Sequence, residues 1–215
     1  MSGPIGILGG TFDPVHHGHL RLAIECIQTA GLAEVNLVPL HAPAHRGPVM
    51  ATPAQRLDML RLATANMAQL NVDDSEIQRG GTSWTVDTVS EYRRKLGNRP
   101  ICLLMGMDAF QHLHGWKQWD LIPGLVHIIV AARPDTEPVF EHKQIADLYT
   151  SRHTDNAADI HATPAGRILK INIPLLAISS TRIRSLLAAG QRPDFLLPQT
   201  VLSYIHKDQL YLKQT

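Results

Sequence analysis

A short apolar strand, a glycine turn and a helix start follow one another within residues 4–27, and this succession constrains the fold most. Pro4–Leu8 is apolar and short enough for a buried strand, and Gly9 and Gly10 follow it. Beyond the turn, helical spacing is seen at Leu20, Ala23, Ile24 and Ile27. Backbone N–H groups at a helix start carry partial positive charge, and glycine lets a ligand approach the backbone. We therefore predict an anion-binding turn with His16 and His19 on one helix face.

The spacing within this turn limits its other interpretations. No Gly-Lys-Ser/Thr follows the glycines, so the stretch is not a Walker loop, and it does not fit G-x-G-x-x-G either. A metal site on His16 and His19 would need further ligands, and the sequence shows no second cluster at suitable spacing. A glycine turn whose histidines only cap the helix stays open as a second interpretation.

Apolar stretches alternate with helical patterns along the whole chain. Further buried strands are predicted at residues 35–40, 101–105, 126–131 and 168–173. Another strand is predicted at residues 71–73, with its edge at residues 75–77. This alternation predicts an α/β fold with a doubly wound parallel sheet. The length of 215 residues, with neither repeat nor linker, predicts a single domain over residues 1–215.

Composition excludes several functional classes. The net charge is +1, and no basic stripe with interleaved aromatic residues is present, so we expect no nucleic-acid partner. No apolar run reaches the roughly 18 residues of a membrane helix, and the first residues do not resemble a leader. Cys26 and Cys102 both lie in apolar segments and are expected to be reduced core residues of a cytoplasmic protein.

A second glycine turn, Gly80–Thr85, leads into another predicted helix. Its backbone N–H groups would suit a carboxylate or a phosphate group. The alternative is an ordinary N-cap by Thr82 or Ser83, with Trp84 in the core. The residues of this turn alone do not decide between the two.

Basic residues follow the second strand. In the loop of residues 41–48, His45 and Arg46 are placed to reach an anion, although a solvated loop would have the same composition. In the helix predicted after this loop, Arg56 and Arg61 are expected to face water.

Polar and aromatic residues follow the carboxyl ends of the later strands, where α/β sheets bind ligands. Gly106 and Asp108 end the strand at 101–105, and Asp108 can accept hydrogen bonds from ribose hydroxyls or cap the next helix. Trp116 offers a face on which a flat ring can stack. Arg133 follows the strand at 126–131 and provides a cation there.

The last candidate is Ile178–Arg184, a helix start that reads Ile-Ser-Ser-Thr-Arg-Ile-Arg. Ser179, Ser180 and Thr181 can cap the helix and still leave N–H groups for phosphate. Arg184 lies one turn further, within reach of the same anion.

These motifs together resemble the H-x-G-H nucleotidyltransferase superfamily. Its G-x-F-x-P-x-H-x-G-H pattern is matched by Gly10, Phe12, Pro14, His16, Gly18 and His19, and its I-S-S-T-x-x-R pattern by residues 178–184. Within the superfamily, the chain is similar to the bacterial nicotinate mononucleotide adenylyltransferases. That closer resemblance rests on Gly9–Pro14, Ser83–Thr88, and Gly106–Asp108 followed by Trp116.

The resemblance implies a Rossmann-like nucleotidyltransferase fold and adenylyl transfer from ATP to nicotinate mononucleotide. The implied catalytic residues are His16, His19 and Arg184. The implied ATP-binding residues are Gly9, Gly10, Thr11, Phe12, His16, His19, Gly106, Asp108, Ile178, Ser179, Ser180, Thr181 and Arg184. The implied substrate-binding residues are Thr11, Phe12, His45, Arg46, Ser83, Trp84, Thr85, Asp108, Trp116 and Arg133.

Mg²⁺ is expected to arrive with ATP, without a dedicated protein metal site. The alternatives are another transferase of the superfamily, such as the phosphopantetheine enzyme, and a nucleotide sensor that binds without turnover. The sequence leaves the oligomeric state open.

Overall fold

The computed structural model describes residues 3–44, 49–132, 139–174 and 176–212. The strands are β1 Ile5–Gly10, β2 Glu34–Pro39, β3 Ala42–Pro43, β4 Leu70–Val72, β5 Thr82–Ser83, β6 Ile101–Gly106, β7 His127–Ala132, β8 His153–Thr154 and β9 Ile168–Asn172. The helices are α1 His17–Ala30, α2 Pro53–Thr64, α3 Ser75–Arg79, α4 Thr85–Leu96, α5 Met107–Gln111, α6 Ile122–Leu125, α7 Lys143–Arg152, α8 Asp159–Ala162, α9 Ser180–Ala188 and α10 Gln199–Lys207.

Seven strands form one sheet in the order β4-β2-β1-β6-β7-β9-β8. The pairs β1–β6, β6–β7, β7–β9 and β9–β8 are parallel, with Ile5 opposite Ile101 and Cys102 opposite His127. The strand order runs outward from β1 in both directions, which is the mark of a doubly wound sheet. The predicted fold class is confirmed.

The chain packs into two compact units. Unit 1 comprises Met1–Leu8, Leu22–Asn36 and Trp84–Leu175, and unit 2 comprises Gly9–Arg21, Leu37–Ser83 and Leu176–Thr215. The single domain over residues 1–215 therefore stays a prediction.

Unit 1 is built on the central strands. The side chains of β6 and β7 are buried almost throughout, because a parallel strand covered on both faces must be apolar on both. Its two cysteines, Cys26 and Cys102, are free and buried, and burial raises the pKa of the Cys26 thiol to about 12. Both are the inert core thiols that the sequence predicts.

Unit 2 contains the helices α2, α3, α9 and α10. Thr52 caps α2 through a capping box with Gln55. The helices α2 and α10 pack against each other, and the Thr200 hydroxyl on α10 donates to the Leu62 carbonyl at 3.2 Å. No helix among residues 3–44, 49–132, 139–174 and 176–212 has the length and apolar character to cross a membrane.

One short element differs from its prediction. Residues 75–77, expected as the edge of a strand, begin α3 instead. The Asp73 carboxylate accepts a hydrogen bond from the Ser75 backbone N–H at 2.8 Å, and this local bond turns the chain into a helix.

Candidate functional site

The first glycine turn lies between β1 and α1, and its residues from Gly9 onward belong to unit 2. Phe12 is 1% exposed and has a left-handed φ of 52°, a conformation that costs a non-glycine residue of order 1–3 kcal/mol. A Cβ on Gly10 would lie 3.0 Å from the Phe12 ring, whereas a Cβ on Gly9 would meet nothing within 4 Å. The turn is therefore closely packed at Gly10 and open at Gly9, where a ligand can approach the backbone.

The rings of His16 and His19 stack on each other, with centroids 3.7 Å apart and planes at 23°. This confirms that they share one face. The His16 backbone N–H donates to His19 Nδ1 at 3.3 Å, and Phe12 lies edge-on to the His19 ring. Since Nδ1 accepts this bond, a neutral His19 carries its proton on Nε2. His19 thus holds the start of the helix through Nδ1.

Burial, and to a lesser extent the nearby charge of His17, lower the pKa of His16 from its ordinary value of 6.5 to about 4. His16 is consequently neutral near pH 7. Its Nδ1 atom is buried and has no hydrogen-bond partner within the described residues, and the same holds for Thr11 Oγ1. Buried polar atoms normally have partners, so two such atoms in one turn indicate a place where a ligand or water binds.

Gly18 sets the position of the His16 ring. A Cβ on Gly18 would lie 3.0 Å from both Cε1 and Nδ1 of His16, closer than such contacts normally come. The glycine between the two histidines is therefore a packing requirement.

Given the catalytic role that the resemblance implies for His16, we expect Gly18→Ala to lower kcat about tenfold or more, because a ring displaced by a fraction of an ångström would no longer match the transition state. Thermal stability should stay close to that of the wild type, because the preference of a helix for alanine over glycine, about 1 kcal/mol, offsets the strain of the close contact with His16. Steady-state kinetics and a thermal melt check both. Gly124→Ala in α6 is the matched control, because its added Cβ meets nothing within 4 Å. An unchanged kcat in Gly18→Ala would show that the ring position is not critical.

The second signature meets the first within unit 2. The side chain of Ser179 caps α9 by accepting from the Arg182 backbone N–H, as the sequence predicts. The Ser180 hydroxyl donates to the Pro14 carbonyl at 2.9 Å. Nη1 of Arg184 donates to the Asp13 carbonyl at 2.6 Å. Residues from opposite parts of the sequence thus bring a helix start and a guanidinium group to the glycine turn.

Asp13 is a buried carboxylate whose role the sequence motifs did not reveal. Its Oδ2 accepts from the Met50 backbone N–H at 2.9 Å, and its Oδ1 accepts from the Ala51 backbone N–H at 3.0 Å. The Tyr211 hydroxyl donates to the same Oδ1 at 2.7 Å. Arg184 lies 3.9 Å from this carboxylate, so its firmer contact is with the Asp13 backbone. Through these contacts, Asp13 holds the first glycine turn against residues 50 and 51 and against Tyr211. In the sequence, only its position between Phe12 and Pro14 distinguishes it.

The prediction that Arg56 faces water is wrong, because Arg56 is fully buried. Its guanidinium group donates to three backbone carbonyls, those of Thr11 at 2.8 Å, His41 at 3.0 Å and Ala51 at 3.3 Å. Burial lowers the pKa of Arg56, an effect that the charge of Asp13 opposes. Arg56 ties the first glycine turn to two loops, which helical periodicity alone does not indicate. Arg61 is exposed, as predicted.

The second glycine turn is anchored within unit 2 by His41. β3 and β5 pair in parallel, and the His41 backbone N–H donates to Ser83 Oγ at 2.9 Å. His41 Nδ1 lies 2.9 Å from the Gly81 carbonyl oxygen. Gly80 and Gly81 have φ values of 71° and 69°, a conformation that favours glycine at both positions.

The alternative of an N-cap by Thr82 or Ser83 is wrong. The N-cap residue of α4 is Trp84, and its side chain makes no capping hydrogen bond. Trp84 is half-buried, not in the core, and Lys117 Nζ lies 5.3 Å from its ring centroid. Thr85, the first residue of α4, is also half-buried.

Unit 1 holds the candidates that follow β6. Gly106 precedes α5 as its N-cap, and Asp108 is an exposed residue in the first turn. Asp108 does not cap the helix, so its carboxylate is available to solvent. Trp116 is half-buried and follows a 3₁₀ turn at Leu113–Gly115.

The predicted ligands His45, Arg46 and Arg133 lie outside the described residues. Across the described ranges, no three His, Cys, Asp or Glu side chains cluster as metal ligands would.

The doubly wound sheet and the glycine turn at the end of its first strand point to a class of protein. Residues 7–186 match the family model described as cytidylyltransferase-like, and the chain belongs to this family.

Individual relatives place the chain more narrowly. It is 43% identical to a probable nicotinate-nucleotide adenylyltransferase of Aeromonas salmonicida, over 98% of both chains. It is 45% identical to the protein of the same name from Marinobacter nauticus, over 95% of both chains. Within the family, the chain is thus a member of the nicotinate-nucleotide adenylyltransferases.

Solved structures agree on the fold. The nicotinic acid mononucleotide adenylyltransferase of Plasmodium falciparum, complexed with NaAD, matches with a TM-score of 0.72 at 17% identity. Each chain is covered to 97%. A second complex of that protein, with APC, matches with a TM-score of 0.71.

Proposed function

We propose that this protein transfers the adenylyl group of ATP to nicotinate mononucleotide, giving nicotinate adenine dinucleotide and pyrophosphate in NAD biosynthesis. The observation that carries the proposal is the meeting of the two signatures in unit 2, where Ser180 and Arg184 bond to Pro14 and Asp13. The names of the relatives support the choice of substrates.

The reaction needs little from the protein beyond positioning and charge. A phosphate oxygen of nicotinate mononucleotide attacks the α-phosphorus of ATP, and the bond from that phosphorus to the oxygen bridging to the β-phosphate breaks. The electron pair leaves with pyrophosphate. Because the second pKa of a phosphate monoester is about 6, the nucleophile is largely ionised at neutral pH, and no general base is required. The task is to hold two anions together and to stabilise the charge that develops.

Each element of unit 2 has a proposed part in this task. His19 donates from Nε2 to the α-phosphate region, with neutral His16 beside it. Arg184 and the start of α9 bind the β- and γ-phosphates, and the backbone of Gly9–Phe12 lines the nucleotide and the substrate phosphate.

The remaining assignments are also proposals. Asp108 would accept from ribose hydroxyls, and Trp116 would stack on the pyridine ring. The turn at Ser83–Thr85 would receive the nicotinate carboxylate. His45, Arg46 and Arg133 would meet substrate phosphate. A divalent metal ion, Mg²⁺ in our proposal, enters as part of the ATP substrate, bound mainly by the triphosphate and water. We place the reaction in the cytoplasm, with which two free buried cysteines agree.

The test is pyrophosphate release with ATP and Mg²⁺, measured separately with nicotinate mononucleotide and with nicotinamide mononucleotide. We expect kcat/KM to favour the acid by about 10- to 100-fold, since hydrogen bonds to a charged group contribute roughly 1.5–3 kcal/mol.

Comparable rates with both would contradict the role of Ser83–Thr85 and keep the enzyme class. Release with neither would overturn the proposed function. Phosphopantetheine as acceptor then tests the other transferase, and ATP binding without turnover would indicate a sensor.

A further inference from the structure

We propose that Tyr211, in the segment that follows α10, is a positioning residue for adenylyl transfer, because its hydroxyl group holds the Asp13 carboxylate. This inference rests on the proposed function. Tyr211 lies 198 positions from Asp13 in the sequence, and none of the motifs includes it.

The contact between the two side chains is buried on both sides. Asp13 is 3% exposed and Tyr211 is 5% exposed, and the hydroxyl lies 2.7 Å from Oδ1. The other donors to this carboxylate are two backbone N–H groups, those of Met50 and Ala51. Tyr211 therefore supplies the one neutral side-chain hydrogen bond to Asp13 among the residues that the structure describes. A buried carboxylate that loses a donor must recruit water or move.

The segment that follows α10 contains left-handed residues that are not glycine. α10 ends at Lys207, and the Leu210 N–H donates to the Ile205 carbonyl at 3.0 Å. Two residues of this short segment are left-handed without being glycine, Gln209 with φ 52° and Tyr211 with φ 62°. Such conformations persist where the surroundings hold them, and they cluster at functional sites. Gln209 ends α10 with the bond from Leu210 to Ile205, and Tyr211 holds its left-handed conformation where its hydroxyl bonds to Asp13.

Asp13 is the link between this segment and the reacting groups. Its carbonyl oxygen accepts the 2.6 Å hydrogen bond from Arg184, and its peptide neighbours are Phe12 and Pro14. The Pro14 carbonyl in turn accepts from Ser180. If the carboxylate moves, the carbonyl that orients Arg184 moves with it. Tyr211 thus acts on the phosphates through Asp13, without touching them.

Tyr211→Phe is the decisive variant, since it removes one oxygen atom and keeps the buried ring. We expect kcat to fall about tenfold, while KM for ATP and for the mononucleotide stays within twofold. Hydrogen exchange should become faster in peptides that cover residues 49–52 and 208–212. The amides of Met50 and Ala51 donate to the same carboxylate, which is held less firmly in the variant, and residues 208–212 lose the hydrogen bond that anchors their segment. Tyr204→Phe is the matched control. Tyr204 lies in α10, and its hydroxyl donates to Asp58 at 3.3 Å in an exposed contact. Loss of this hydroxyl should leave kcat unchanged.

The two readouts separate the possible outcomes. Faster exchange with a kcat within twofold of the wild type would overturn the proposal, because Tyr211 would then be structural only. A lower kcat with unchanged exchange would also overturn it, since the effect would not pass through Asp13. If the wild type itself releases no pyrophosphate, the proposed function fails, and the exchange data alone decide whether Tyr211 holds Asp13.

Discussion

His19→Asn is expected to lower kcat about 100-fold with little change in the affinity for ATP. The oxygen atom of an asparagine side chain reaches about as far as Nδ1 of histidine, so it can still accept from the His16 backbone N–H. The asparagine is too short to replace Nε2–H, which we propose as the donor to the α-phosphate region. Loss of one donor to developing charge typically costs a factor of 10²–10³ in kcat. Single-turnover kinetics and calorimetric titration with a non-hydrolysable ATP analogue measure the two quantities.

Two controls accompany this variant. His17→Ala alters the neighbouring histidine and should retain most of the activity. A thermal melt of His19→Asn should agree with that of the wild type, because the bond at the helix start is kept. A kcat within threefold of the wild type would remove His19 from the mechanism.

Arg56→Met is expected to reduce the free energy of unfolding by about 3 kcal/mol or more. The substitution keeps an unbranched apolar stem but leaves the carbonyls of Thr11, His41 and Ala51 without their common donor. Each buried polar group left unpaired costs roughly 1–3 kcal/mol, and relaxation of the loops recovers part of the loss. Urea unfolding followed by circular dichroism measures the change.

Arg61→Met on the same helix is the matched control. Its guanidinium group pairs with Asp74 at 3.2 Å, but its side chain is 57% exposed. Exposed ion pairs contribute little, so this variant should stay within about 0.5 kcal/mol of the wild type. Equal losses in both variants would contradict the special position of Arg56.

The parts of the fold that the sequence predicts are those governed by continuous local patterns. β6 and β7 are apolar apart from His127 at the start of β7, and the pattern predicts them to within a residue or two at each end. The cap of α9 by Ser179 likewise depends on neighbouring residues alone. The strand prediction for residues 75–77 is wrong because one hydrogen bond, donated by the Ser75 backbone N–H to the Asp73 carboxylate, decides the structure of a three-residue stretch.

What the sequence does not predict are contacts between distant residues. An arginine in a helix is exposed in most proteins, and nothing near Arg56 indicates that three carbonyls from separate loops surround it. The pairing of Asp13 with Tyr211 is equally invisible, because each residue is unremarkable in its own neighbourhood.

The distance along the chain between these partners affects how the protein is made. The first turn emerges from the ribosome early, but Arg184 follows 171 positions after Asp13, and Tyr211 later still. At about 5–20 residues per second, translation leaves an interval of roughly 10–30 s in which Asp13 has neither partner. During that interval the nascent chain has the glycine turn without the groups that complete it. We therefore expect the growing polypeptide to bind nucleotide only after α9 and the segment beyond α10 have been synthesised.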